Sequence, residues 1–189
     1  DEFFDAFKQQ LYHFLSLHAE RNNIELSVSR DLFPDPVRSS LMRGGIEEGR
    51  ALLDRQFDFE NGAVMNPVGM INVVDSLAAV RHLVFEEKTV SQENLMTALE
   101  ADWAGPKNQD LRKQILAAPK YGNGDGETDA IAKELFDFWA KSTISFPTCL
   151  GGSHKPTGVS VSSQWPGGLL TGATPDGRYA GECLADGTV

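Results

Sequence analysis

The chain has 189 residues, 41% hydrophobic and 23% charged, which suits one globular domain or part of a larger one. Net charge is −10 and no run of Lys or Arg occurs. A nucleic acid or an anionic membrane is therefore excluded as an expected partner, because either needs a clustered basic surface. No apolar stretch approaches the roughly 20 residues that span a bilayer. In chain order, residues 2–20 predict a helix whose stripe is Phe3, Phe7, Leu11, Phe14 and Leu15, with Asn22 and Asn23 as its stop. Pro36 suits the first position of a short helix, and Gly44, Gly45 and Gly49 weaken its continuation. Asn61-Gly62 and Asn66-Pro67 mark loops.

Residues 70–87 predict a second long helix, apolar on more than one face and hence well buried. Ser91 caps a third helix, with Glu93 in its first turn, carrying Leu95, Leu99 and Trp103 and ending at Gly105-Pro106. A fourth covers about 107–117. The glycine-rich loop 121–129 precedes a fifth, with Thr128 or Asp129 as its cap. Residues 157–165 alternate apolar and polar and predict one strand. A lone strand leaves its backbone groups unpaired, so its partners are expected outside the chain. The rest is rich in turns.

Few motifs carry chemistry. The loop GNGDGETD lacks the ligand spacing of a calcium loop, so a turn and helix cap is its expected role. His13, His18, His82 and His154 show no zinc spacing, and His18 falls on the stripe of the first helix as a packed or rim residue. No metal is expected. Cys149 and Cys183 have no activating base nearby in sequence and read as small thiols; two thiols in so long a chain point to a reducing cytoplasm. No phosphate-binding glycine loop, Walker motif or nucleophile elbow occurs. Asp1 falls directly in amphipathic sequence and LADGTV has no helix stop, so the chain is expected to be an internal piece.

Four segments narrow the reading: NPVGMINVVDSLAAVRHLVFEE (66–87), TALEADWAG (97–105), APKYGNGDGETDAIA (118–132) and ATPDGRYAGECLADG (173–187). Their content and order resemble the glycyl radical enzymes, the pyruvate formate-lyase-like family, clearly from about 60 to 187. The resemblance implies an α/β fold: a partial segment of a ten-stranded barrel of two five-stranded halves, this piece mostly helical with one strand near 157–165. It implies a thiyl radical on a cysteine loop, a glycyl radical stored on a C-terminal loop, and a radical-SAM activating enzyme that installs it. A homodimeric parent acting on a small-molecule substrate is also implied.

The chain departs from that pattern at the chemistry itself. The cysteine loop, Gly-Cys-x-Glu, and the glycyl loop, Arg-Val-x-Gly-Tyr, are both absent; Cys183 stands where the family usually has Pro. No catalytic residue and no bound cofactor are expected in this stretch, and the piece alone is expected to be inactive. The resemblance brings Met65, Asn66, Pro67, Met70, Val159 and Val161 toward the substrate, against ordinary core packing as the competing reading. Glu47 and Glu48 are further candidates, against a solvated helix face. In PDGR, Pro175, Asp176 and Gly177 suit a turn from which Arg178 donates to carbonyls or a carboxylate, a structural role. The expected parent is a radical lyase cleaving C–C, C–N, C–O or C–S bonds, of decarboxylase, dehydratase or formate acetyltransferase type. The alternative is a truncated scaffold that binds another polypeptide without chemistry.

Overall fold

The computed structural model describes residues 2–54, 63–159 and 162–186. Two compact units divide them: residues 1–65 with 137–157, and residues 66–136 with 158–189.

In the first unit, α1 (Glu2–Leu32) runs 31 residues, about 46 Å at 1.5 Å per residue. It passes through the expected stop at Asn22–Asn23. The physical reason is tertiary: the Asn23 amide donates to the Pro147 carbonyl at 3.0 Å and accepts from the Cys149 N–H at 2.9 Å. Occupied in this way, the side chain no longer competes for its own helix backbone. The predicted stripe also splits. Leu15 and Ala19 are buried, whereas Phe3 and Phe14 face outward. The short helices α2 (Pro36–Leu41) and α3 (Gly45–Glu48) follow, and Pro36 begins α2 behind the cap Asp35 as its fixed φ favours. A single 3-10 turn covers Leu52–Asp54. The Asn61-Gly62 loop lies outside the described residues.

The sheet corrects the strand prediction. Strand β1 (Val64–Met65) pairs in parallel with β2 (Lys155–Pro156), in register Val64–Lys155 and Met65–Pro156. Lys155 N–H donates to Ala63 and Thr157 N–H to Met65, which extends the ladder at both ends. The ladder thus ends where the predicted 157–165 strand begins, and one partner of β2 lies within the chain; residues 160 and 161 of the predicted strand lie outside the described residues. Residues 164–169 are instead helix α8 (Gln164–Leu169). The period-2 pattern of 157–165 is real, but a pattern makes a strand only where a backbone partner lies alongside.

The second unit is built on α4 (Met70–Val80), whose axis continues as a π-helical segment, Arg81–Glu86. The Glu87 N–H reaches the His82 carbonyl five residues back, at 2.9 Å. Helix α5 (Gln92–Glu100) starts at Ser91, whose hydroxyl accepts from the Asn94 N–H at 3.1 Å, and α6 (Pro106–Ala117) starts at Pro106. The core of this unit joins Ala79, Leu83, Val90, Leu95, Ala98, Trp103, Leu111, Ile115 and Ala118. Trp103 does not extend α5 as predicted. It sits fully buried in a left-handed turn after the helix, with φ +62° following Asp102 at +48°. Burial of the indole holds a backbone conformation that a bulky residue rarely adopts.

Helix α7 (Gly126–Ser145) runs from the second unit into the first. Its cap is Asp125, not Thr128 or Asp129: the Asp125 carboxylate accepts from the Thr128 N–H at 2.8 Å, and that bond holds its carboxyl below the usual range. Thr128 is buried instead. The sequence placed the cap three residues late because Gly126 reads as loop, although it begins the helix.

Candidate functional site

The predicted candidates fall into several settings. Met65 and Met70 are buried, at 3% and 6% exposure. Asn66 and Pro67 are half-buried, and Val159 is exposed. The Asn66 amide bridges Val159 as a backbone would, donating to its carbonyl at 2.8 Å and accepting from its N–H at 2.7 Å. One side chain therefore fastens the turn before α4 to the segment after the sheet. Glu47 and Glu48 are exposed on α3. Val161 lies outside the described residues.

Both cysteines are exposed. The Cys149 thiol donates to the Asn23 carbonyl at 3.4 Å, which suits a loop anchor. No group of three or more potential metal-ligating side chains occurs among the described residues. His154 is fully buried, with Nδ1 3.0 Å from the Phe146 carbonyl, and burial pushes the His18 imidazole down.

The densest polar arrangement lies elsewhere, in the second unit, and sequence reasoning saw only part of it. The TPDG turn closes through Gly177 N–H to the Thr174 carbonyl at 3.0 Å, and Gly177 takes φ +97°. A Cβ at Gly177 would also lie 2.8 Å from the Leu116 side chain, so glycine answers two demands at once. The turn aims Arg178 inward, where it is 7% exposed. Its guanidinium donates to the carbonyls of Glu182 at 2.7 Å, Thr171 at 3.1 Å and Gly172, and to Thr174 Oγ1 at 3.2 Å.

The other three motifs close on the same turn. From α4, Asn72 donates to Asp176 Oδ2 at 2.6 Å and accepts from the Ala185 N–H at 2.6 Å. From the KYGNG loop, Lys120 donates to the Asp176 carbonyl at 3.2 Å, and the Tyr121 N–H donates to Asp75 at 2.9 Å. From the ADWAG turn, the Trp103 indole N–H donates to the Arg178 carbonyl at 3.0 Å and Asp102 accepts from the Ala180 N–H at 2.7 Å. Arg112 adds a bond to the Gly177 carbonyl at 2.7 Å and lies 4.1 Å over the Tyr179 ring.

Electrostatics follow from burial. Desolvation pushes the Asp75 carboxyl up against the opposing pull of the Tyr121 N–H and Lys120, with Asp176 adding to the rise. Desolvation likewise pushes the Lys120 ammonium down, against Asp75 and Asp176. The Arg178 donors meet carbonyls and a hydroxyl of the chain itself, so this arrangement holds polypeptide in place rather than substrate. Asn72 and Asp75, polar residues three apart inside the apolar run MINVVDSLAAV, were the available sequence signal for it.

Four separated motifs thus interlock on one turn-rich segment of the second unit. The chain belongs to the pyruvate formate lyase-like family, whose model matches residues 1–168. The trans-4-hydroxy-L-proline dehydratase of Clostridioides difficile is 28% identical over 99% of this chain and 23% of its own length. The isethionate sulfite-lyase of Desulfovibrio desulfuricans is 32% identical over all of this chain and 23% of its own. Among solved structures, the B12-independent glycerol dehydratase of Clostridium butyricum superposes with a TM-score of 0.84 at 32% identity, over 98% of this chain and 23% of that one. The chain thus spans about a quarter of the length of these glycyl radical enzymes.

Proposed function

We propose that residues 1–189 are the wall of a glycyl radical lyase whose radical chemistry sits on further polypeptide. The supporting observation is the end-to-end match to about a quarter of a dehydratase and a sulfite-lyase, combined with two cysteines that both lie outside a Gly-Cys-x-Glu context. The intact protein would cleave a C–C, C–N, C–O or C–S bond of a small polar substrate after a thiyl radical removes a substrate hydrogen. Its glycyl radical would be installed by a radical-SAM activating enzyme, in a cytoplasmic homodimer. Residues 1–189 alone would have no turnover.

Within that enzyme, the Asn66–Val159 clip sets the turn that carries Met65, Pro67 and Met70, and these with Val159 and Val161 form the substrate-facing set. Asn66 uses its amide on backbone, so its part is to position that turn. Glu47 and Glu48, both exposed on α3, are the candidates for a carboxylate contact.

The test is anaerobic co-expression of the native reading frame with its activating enzyme, read by electron paramagnetic resonance. A glycine-centred organic radical is expected, with turnover of a small hydroxylated, sulfonated or carboxylated substrate. A native reading frame that starts and stops at these residues, or yields no radical when activated, sinks the proposal and favours a scaffold.

A further inference from the structure

We propose that the outward face of α1 is an internal interface, covered in the native protein by polypeptide of the same molecule lying outside residues 1–189. Helix α1 is apolar on two opposite faces. Leu15 and Ala19 lie on the buried one. On the other, Phe3, Phe14, Leu17, Ile24, Val28 and Leu32 are exposed by 57%, 63%, 47%, 59%, 44% and 67%. Their spacing of three and four residues from Phe14 onward, interrupted only at Arg21, makes one straight seam. From Phe14 to Leu32 that seam is about 27 Å long at 1.5 Å per residue, and Phe3 lies on the same face eleven residues before it. Arg21 interrupts the seam with an exposed ion pair, its guanidinium 3.9 Å from Glu25.

A helix that is apolar on opposite faces is a buried helix, and a seam of six large apolar side chains exceeds what a soluble surface leaves in water. Two observations select the occupant. The relatives match this chain over its whole length yet carry about four times its polypeptide, so in each of them the equivalent helix is accompanied by far more chain. The net charge of −10 opposes adsorption to an anionic membrane. The inference rests on further polypeptide accompanying these residues and is independent of any radical chemistry.

The protein encoded by the native gene, carrying Leu17→Cys, Ile24→Cys or Val28→Cys, is treated with a maleimide and the labelled peptides are quantified by mass spectrometry. Labelling at each position is expected to be slowed about tenfold or more relative to the same protein unfolded in urea, including at dilutions where it is monomeric. Full-rate labelling overturns the proposal. Protection that disappears on dilution to monomer assigns the face to a second copy and also overturns it. So does protection that appears only with added anionic vesicles. Leu17→Glu is the companion variant, expected to lose soluble folded protein; unchanged solubility and melting would overturn the proposal independently. Neither readout uses turnover, so a native protein that forms no radical but protects these positions defeats the lyase reading and leaves this one standing.

Discussion

Arg178 ties four other positions of the polypeptide together from one side chain. A lysine there keeps the charge but offers a single ammonium in place of a planar fork. Three carbonyls then compete for it, and the fork that held them together is lost. Arg178→Lys is expected to cost about 3 kcal/mol, seen as a lower denaturant midpoint at unchanged slope in the native protein. A cost within a few tenths of a kcal/mol would mean that the loop is held by its backbone alone. Asp75 makes a prediction of opposite character. Its folded-state value lies above its ordinary 3.8, so the folded state binds the proton more tightly than the unfolded one. Its contribution is fully present at low pH and is lost as pH rises from 3.8 through the raised value. Asp75→Asn keeps the acceptor for the Tyr121 N–H and removes that titration. The difference in melting temperature between variant and parent should therefore shift upward with pH across that window and level off above it. A flat difference curve would remove Asp75 from the pH response. The donating role of Arg178 was legible in the PDGR motif; Asp75 and Asn72 were not, because their partners lie 46 and more than 100 residues away.

At the scale of elements, local chemistry and tertiary context had different shares. The start of α5 is local: Ser91, followed by Glu93 in the first turn, specifies a cap within three residues. Ser91→Ala is expected to cost about 1 kcal/mol, measured by thermal melting of the native protein, and Ser91→Asn to restore most of it. Equal loss in both variants would assign the serine a role other than capping. The starts of α2 and α6 at proline are local in the same way. The ends were not legible. Helix α1 runs ten residues past its predicted stop because Asn23 found a partner 124 residues on. Among the described residues the sheet forms at 155–156 and does not extend to 157–159, because β1 offers backbone there for two residues only. Beyond it, the Asn66 side chain takes the place of a strand at Val159, and Gln164–Leu169 turns helical.

For the whole molecule, the balance of buried and exposed apolar surface leads to a prediction about autonomy. The second unit has a continuous core, whereas α1 leaves a seam of large side chains in water. Residues 1–189 produced alone are expected to bind a hydrophobic dye and to melt broadly, with loss of structure by different probes failing to coincide. A single sharp transition with no dye binding would show that these residues suffice as an independent body. Family membership and helical content were determined by the sequence itself, since they reside in contiguous motifs and short-range periodicity. The convergence of four separate motifs on one turn, the length of α1, the place of the two-residue sheet and the outward apolar seam were decided only in three dimensions. Each depends on which distant backbone groups and surfaces meet, and a linear pattern carries no record of its partner's position.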